Sequence, residues 1–264
     1  MINIDFTGKN VLLTGAGGGI GGGIARAYAK AGARVHLADL KLEMMDRIVS
    51  EFKAAGYNYA THALDITDEA AVNKLVDSIV AEDGQLDMLC NCAGIVDNNT
   101  YMDTTAETFE KVLAVNLVGM HKCIQAALKH MMPRGFGKIV NVASISARKG
   151  VPYQPAYSAS KFGVQSLTQS VALTAAASNI NVNAICPGFV IENSGMYETT
   201  IAKMAERRGV KSNEEMLEVL KSIVPLKRLQ SPDDMGNAVV FLCSDMAANI
   251  TGQALNVDGG VFMN

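Results

Sequence analysis

Short apolar runs and longer stretches of helical periodicity alternate along this chain. Val11, Leu12 and Leu13 run into a glycine-rich segment, after which apolar residues return at helical spacing at Ile24, Ala27 and Tyr28. That pattern predicts strand, turn, helix. Arg34 to Ala38 predicts a second strand, and strands follow near 59–64, 88–91, 138–143, 181–186 and 255–257. Between them, helical spacing predicts helices near 42–55, 69–81, 106–132 and 155–178. Strands that alternate with helices predict one parallel sheet covered on both faces by right-handed crossovers. The stretch from Phe189 to about Val224 breaks the alternation, with short amphipathic pieces near 201–208 and 214–223. A segment of this length between sheet elements predicts a lid.

Composition narrows the classes of function. The 264 residues, 49% of them hydrophobic, suffice for one large α/β domain and leave little room for a second. A net charge of −3 and no run of like charges argue against a nucleic-acid or anionic-membrane partner. The first ten residues lack an apolar signal core, and charges interrupt the apolar runs below spanning length, so a cytoplasmic protein is expected. Five cysteines and four histidines show neither disulfide nor metal spacing, so no metal is expected. Fourteen methionines read as adaptable core filler.

Thr14 to Gly21, Thr-Gly-Ala-Gly-Gly-Gly-Ile-Gly, joins the first strand to the first helix. Glycines there let backbone approach a pyrophosphate, and the helix start offers N–H groups and a positive dipole end. Asp39 ends the second strand eighteen positions beyond Gly21, where a dinucleotide fold needs an acid for the adenosine ribose. A carboxylate repels a 2′-phosphate, so Asp39, followed by neutral Leu40, selects NAD over NADP; Lys41 is the counter-argument. Gly22 and Gly23 sit inside a helix and call for close approach of a ligand or a neighbouring element. Asn116 lies among the apolar positions of the long helix and needs partners. Ser144 falls at the carboxyl end of the fifth strand, where ligands collect in such sheets. Tyr157 and Lys161 are one helical turn apart, and an ammonium beside a phenol favours the phenolate.

In this order the motifs resemble the short-chain dehydrogenase/reductase family, in the group termed classical, over nearly the whole chain. Thr14 to Gly21 is similar to its cofactor turn, Asn91-Cys92-Ala93-Gly94 to its Asn-Asn-Ala-Gly signature, and Asn116, Ser144, Tyr157 and Lys161 to its catalytic tetrad. The resemblance implies a single Rossmann-type domain over 1–264: a doubly wound, seven-stranded parallel sheet with helices on both faces and a lid at about 189–224. It implies that Gly15, Gly19, Ile20 and Gly21 hold the cofactor phosphates. Asp65 and Ile66 would then meet the adenine, and Asn91, Ala93 and Gly94 would pass close to a ribose. Pro187, Gly188 and Val190 would flank the nicotinamide, with Lys161 on its ribose and Tyr157 moving the proton. Ser144 would bond the substrate oxygen, and Asn116 would hold a water connecting Lys161 to solvent. A homotetramer, paired through the helices that carry Asn116 and Tyr157, is also implied.

Two departures stand out. Cys92 replaces the second asparagine of the signature, which puts one hydrogen bond within the sheet in doubt, and Glu192 stands where the family often has threonine. Ser146, Gln154, Glu192 and Met196 are candidates, beside Ser144 and Tyr157, for contact with substrate. The expected reaction is hydride transfer between NAD and a small secondary alcohol or ketone, such as a polyol, sugar, diol or hydroxysteroid. The alternatives are a 3-oxoacyl thioester reductase and a dinucleotide-binding regulator without chemistry.

Overall fold

The computed structural model describes residues 4–191 and 195–263, and the side chains of all of these but 195–197. Seven parallel strands form one sheet: β1 (Asn10–Thr14), β2 (Arg34–Asp39), β3 (Tyr59–Ala63), β4 (Met88–Asn91), β5 (Gly137–Val142), β6 (Ile180–Pro187) and β7 (Ala254–Val257). Their spatial order is β3-β2-β1-β4-β5-β6-β7. The chain steps outward from β1 to β3, then returns to lay β4 on the other side of β1. Such a reversal opens a crevice beyond the carboxyl ends of β1 and β4. Every residue of β1, β4, β5 and β6 is buried, as continuous apolar strands require when helices cover both faces.

The helices are α1 (Gly19–Lys30), α2 (Asp46–Ala55), α3 (Glu69–Asp83), α4 (Ala106–Leu113), α5 (Met120–Arg134), α6 (Pro155–Ala175), α7 (Gly195–Arg208), α8 (Asn213–Ile223) and α9 (Pro232–Cys243). Alternate residues of β1 face opposite layers: Val11 and Leu13 pack with α1, α2 and α9, and Leu12 packs with α3, α5 and α6. The doubly wound sheet expected from the sequence is the fold observed. Between α4 and α5 a single π-helical turn, Ala114–Gly119, widens an otherwise continuous helix and carries the fully buried Asn116. In the lid, α7 and α8 bury a small core of their own through Ile201, Ala205, Met216 and Leu220. Among the described residues no helix is long and apolar enough to cross a membrane.

The periodicity argument passes over α9, although its start is well marked. Ser231 and Asp234 form a reciprocal capping box with Pro232 in the first turn. This helix accounts for Gly23, because a Cβ there would lie 2.3 Å from the Pro232 carbonyl oxygen. In return, a Cβ on Gly236 would lie 2.6 Å from the Gly23 carbonyl oxygen, so α1 and α9 cross backbone against backbone. The neighbour that requires Gly23 is therefore a helix. Gly22 has nothing nearer than 3.5 Å and needs no such account.

Candidate active site

A cleft of about 1780 Å³ runs along the carboxyl ends of the strands, from the glycine turn to the lid. At the turn, Gly15 adopts a φ of +72°, and a Cβ on it would sit 2.6 Å from the Ala93 backbone. A Cβ on Gly21 would meet the Gly15 carbonyl oxygen at 2.0 Å, so the turn closes only with glycine at both places. The N-terminus of α1 opens here without a side-chain cap and without an acid in its first turn. Its positive end suits an anionic ligand.

Asp39 forms the next part of the wall and is held by backbone alone. Its Oδ2 accepts the Gly17 N–H at 2.9 Å and its Oδ1 the Leu40 N–H at 2.8 Å. Asp65 Oδ1 accepts both the Thr67 hydroxyl (2.7 Å) and the Thr67 N–H (2.8 Å). These bonds hold the Asp65 carboxyl below the usual carboxylate range. A glycine cradle, an open helix start and a fixed carboxylate fit the phosphates and ribose of a dinucleotide.

Further along the cleft, β5 and α6 bring Ser144, Ser146, Tyr157 and Lys161 to one wall. Lys161 is only 3% exposed, donates from Nζ to the Val142 carbonyl at 2.7 Å, and stands 5.5 Å from the centre of the Tyr157 ring. Burial pushes its ammonium down to about 8, against the opposing pull of the Cys92 and Cys186 thiols. Ser144 Oγ accepts the Ser146 N–H at 3.0 Å, which fixes the oxygen and leaves its proton for another acceptor. The first turn of α6 is anchored from a distant loop: Asp97 accepts the N–H of Tyr157 at 2.8 Å and of Ala156 at 3.3 Å. The residue in front of that turn, Gln154, makes no side-chain cap and takes a φ of +74°, an uncommon conformation for a side chain of its kind.

All of the predicted cofactor residues except Asn91 line the cleft. Asn91 stands one layer back from the lining, because the pleat of β4 turns its side chain between strands. Its Nδ2 donates to Asn141 Oδ1 at 2.9 Å, and Asn141 Nδ2 donates to Thr168 Oγ1 at 2.9 Å, a polar seam that ties β4 and β5 to α6. Asn116 likewise stands behind the wall. Its Oδ1 accepts the Ile95 N–H at 2.8 Å, and its Nδ2 donates to the Ile95 carbonyl at 2.8 Å and to Ser160 Oγ at 3.1 Å. The pair to Ile95 matches a strand pairing, so Asn116 splints the loop that follows β4.

The substitution at Cys92 leaves that loop held by main chain, since Thr14 Oγ1 accepts the N–H groups of Cys92 (3.3 Å) and Ala93 (3.4 Å). Of the predicted substrate contacts, Ser144, Ser146, Gln154 and Tyr157 line the cleft. Gln154 Nε2 already donates to Asn98 Oδ1 at 2.9 Å. Glu192 lies outside the described residues, as does the side chain of Met196. The sequence reading missed Asp97, Asn98 and Tyr153, which build the floor beneath the lid, and Arg207, which reaches that floor from α7. Their contacts join residues far apart in sequence, and only the left-handed backbone at Gln154 marks the place.

Fold and cleft together define an α/β protein that binds a dinucleotide. Residues 15–262 match the family model described as enoyl-(acyl carrier protein) reductase. An uncharacterized oxidoreductase, YxjF, of Bacillus subtilis is 36% identical, covering 94% of this chain and 96% of its own. Sorbitol dehydrogenase of Cereibacter sphaeroides is 35% identical (97% and 98% covered), and the 3-oxoacyl-[acyl-carrier-protein] reductase FabG of Thermotoga maritima 34% (96% and 98%). Among solved structures, NAD+-bound xylitol dehydrogenase superposes with a TM-score of 0.91 at 32% identity, over 97% of this chain and 99% of that one. Actinorhodin polyketide ketoreductase with NADPH gives 0.90 at 33% identity, over 96% and 97%. The chain is an oxidoreductase and belongs to the short-chain dehydrogenase/reductase family.

Proposed function

We propose that this protein transfers a hydride between NAD and a secondary alcohol or ketone, with a polyol as the substrate class. The observation that carries the chemistry is Tyr157 on the cleft wall beside the buried Lys161 ammonium, 5.5 Å from the ring centre. The choice of NAD rests on Asp39, whose carboxylate is clamped by two N–H groups where an adenosine ribose would lie. Sorbitol and xylitol dehydrogenases among the relatives support the polyol. The same carboxylate speaks against an NADPH-dependent 3-oxoacyl reductase.

A bound nicotinamide supplies hydride acceptance or donation; the chain supplies everything else. Tyr157 takes the substrate hydroxyl proton in oxidation and returns it in reduction. Lys161 places positive charge near the phenol, which lowers its hold on that proton, and would hold the nicotinamide ribose of a bound cofactor. Ser144 donates its hydroxyl to the substrate oxygen where charge develops. Asn116, on the π turn, carries the water through which Lys161 exchanges protons with solvent. Pro187, Gly188 and Val190 shape the nicotinamide end. Two copies pair through α4, the π turn, α5 and α6, where Val118 on the turn and Phe162 and Leu173 on α6 are exposed, and pairs associate into a homotetramer. Five free thiols suit a cytoplasmic setting.

The test is a panel of polyols, other secondary alcohols and their ketones, assayed with NAD and NADP in parallel, together with Tyr157→Phe. Turnover with NAD and a loss of roughly 10²- to 10⁴-fold in the variant are expected, with NAD binding retained in fluorescence titration. Activity with NADP alone, or near-normal turnover in Tyr157→Phe, would overturn the reading.

A further inference from the structure

The lid end of the cleft has a charge that its dinucleotide chemistry does not use. Among the described wall residues the carboxylates are Asp39 and Asp65, both at the end fitted to adenosine, whereas Lys149, Arg207 and Arg208 line the wall at the lid. Cofactor phosphates belong at the glycine turn, so these cations are not their counter-ions.

Arg207 is built in more firmly than a surface arginine. Its guanidinium lies 3.9 Å from the centre of the Tyr153 ring, and Nη2 donates to the Asn98 carbonyl at 2.6 Å. Stacking on an aromatic face and one fixed hydrogen bond orient the planar fork and reduce the entropy lost when it takes a further partner. Neither a carboxylate nor any other hydrogen-bond acceptor among the described residues engages its other N–H groups. The platform beneath it is the one that holds the reactive tyrosine. Asn98 also accepts from Gln154 Nε2 at 2.9 Å and donates from Nδ2 to Thr200 Oγ1 at 3.3 Å, while neighbouring Asp97 accepts the Tyr157 N–H at 2.8 Å. Arg207 is thus in register with Tyr157 through a short chain of hydrogen bonds.

The geometry points to Arg207 as the anchor for an anionic group, carboxylate or phosphate, on the hydroxyl substrate, with Arg208 and Lys149 adding charge. This rests on the dehydrogenase reading above and sharpens its substrate class from a neutral polyol to a polyhydroxy acid or sugar phosphate. A planar fork matches the paired oxygens of either anion, and the sheltered cleft strengthens the pairing.

The experiment compares D-gluconate and sorbitol 6-phosphate with sorbitol, using wild type, Arg207→Met and Arg207→Lys. Wild type should favour at least one anion over sorbitol in kcat/KM. In Arg207→Met the ratio of anion to sorbitol should fall roughly 10- to 100-fold, mainly through KM, with Arg207→Lys in between. Which anion responds tells carboxylate from phosphate. If Arg207 merely clips α7 to the floor, the variant changes both substrates alike and the ratio stays put, which overturns the proposal. A wild-type preference for sorbitol over both anions does the same. Should Arg207→Met not fold, added salt gives the answer on wild type: KM for the anion should rise with NaCl and KM for sorbitol should not. Should no compound turn over, the dehydrogenase reading fails separately. Calorimetric titration of gluconate and sorbitol 6-phosphate into wild type and Arg207→Met, with NADH present and absent, then decides the anchor by binding alone. Equal heats in the two proteins overturn it.

Discussion

Replacing Lys161 with methionine should abolish turnover and yet raise thermal stability. The lysine is buried and its ammonium is pushed from the ordinary 10.5 to about 8, chiefly by desolvation. At about 1.4 kcal/mol per unit, holding that charge in the folded protein costs about 3 kcal/mol relative to the unfolded chain. Methionine keeps the apolar stem and removes the charge, but it forfeits the 2.7 Å bond to the Val142 carbonyl. Losing that bond costs about 1 to 2 kcal/mol. The net expectation is a gain of about 1 to 2 kcal/mol at pH 7, or roughly 2–6 °C in melting temperature for a chain of this size. The sign can be checked with pH. Below 8 both states hold the proton and the folded state bears the cost in full. Between 8 and 10.5 the folded state sheds the proton before the unfolded chain does, so wild-type stability gains as pH rises through that window. The advantage of Lys161→Met should therefore be largest near pH 7 and shrink toward pH 10. Differential scanning calorimetry of both proteins at one protein concentration and several pH values measures this. A variant that melts below wild type at pH 7, or a gap that does not narrow with pH, would refute the reasoning.

Three further outcomes are expected. Asp39→Ala removes the acid that disfavours a 2′-phosphate; the ratio of kcat/KM for NADP to that for NAD should rise by at least about tenfold, roughly the 1–3 kcal/mol carried by a charged hydrogen bond. Gly23→Ala forces a Cβ to within 2.3 Å of the Pro232 carbonyl. Denaturant titration should show a loss of about 1–3 kcal/mol, whereas Gly22→Ala, whose Cβ would meet only ordinary van der Waals contacts at 3.5 Å and beyond, should be neutral or better. The third concerns His36, whose Nδ1 lies 3.1 Å from His62 Nε2 and whose Nε2 lies 2.8 Å from Asp83 Oδ2. Burial, then the neighbouring His62, outweigh Asp83 and push His36 down to about 4. A base depressed from 6.5 is neutral in the fold, so its contribution, up to about 3 kcal/mol, is complete above pH 6.5 and lost as pH falls to about 4. Urea midpoints across that range should drop in wild type and drop less in His36→Gln.

What the sequence made legible was local. The glycine turn, Asp39 and the Tyr157/Lys161 pair each express their geometry within a few residues or one βαβ unit, so spacing carries them. The central strands followed from short, mostly apolar runs, because strands buried on both faces show little polar alternation to confuse the reading, whereas β3 and β7 at the edges are partly exposed. The bond of Asn91 to Asn141 across the sheet was not legible, since a motif residue beside a ligand and one bonded across the sheet look alike in a string. The floor beneath the lid was invisible for another reason. Asp97 reaches the Tyr157 N–H across 60 positions and Arg207 reaches the Asn98 carbonyl across 109, and such polar contacts leave no periodic trace. The start of α9 carries a cap legible in sequence, Ser231 and Asp234 with Pro232 between them, which apolar period alone does not mark.

The lid leaves and rejoins the domain at one spot. Val190 and Gln230 pair as an isolated parallel bridge, with the Gln230 N–H donating to the Phe189 carbonyl (3.0 Å) and the Ile191 N–H to the Gln230 carbonyl (2.8 Å). The described residues between them form a cassette stapled at its neck, carrying a small apolar core of its own. Changes in its length cost little in chain closure, provided that the bonds of Thr200 and Arg207 to Asn98 are kept. The segment can therefore be exchanged as a piece while the sheet and the glycine turn are kept, and a chimera cut at the same neck that retains those two bonds should fold.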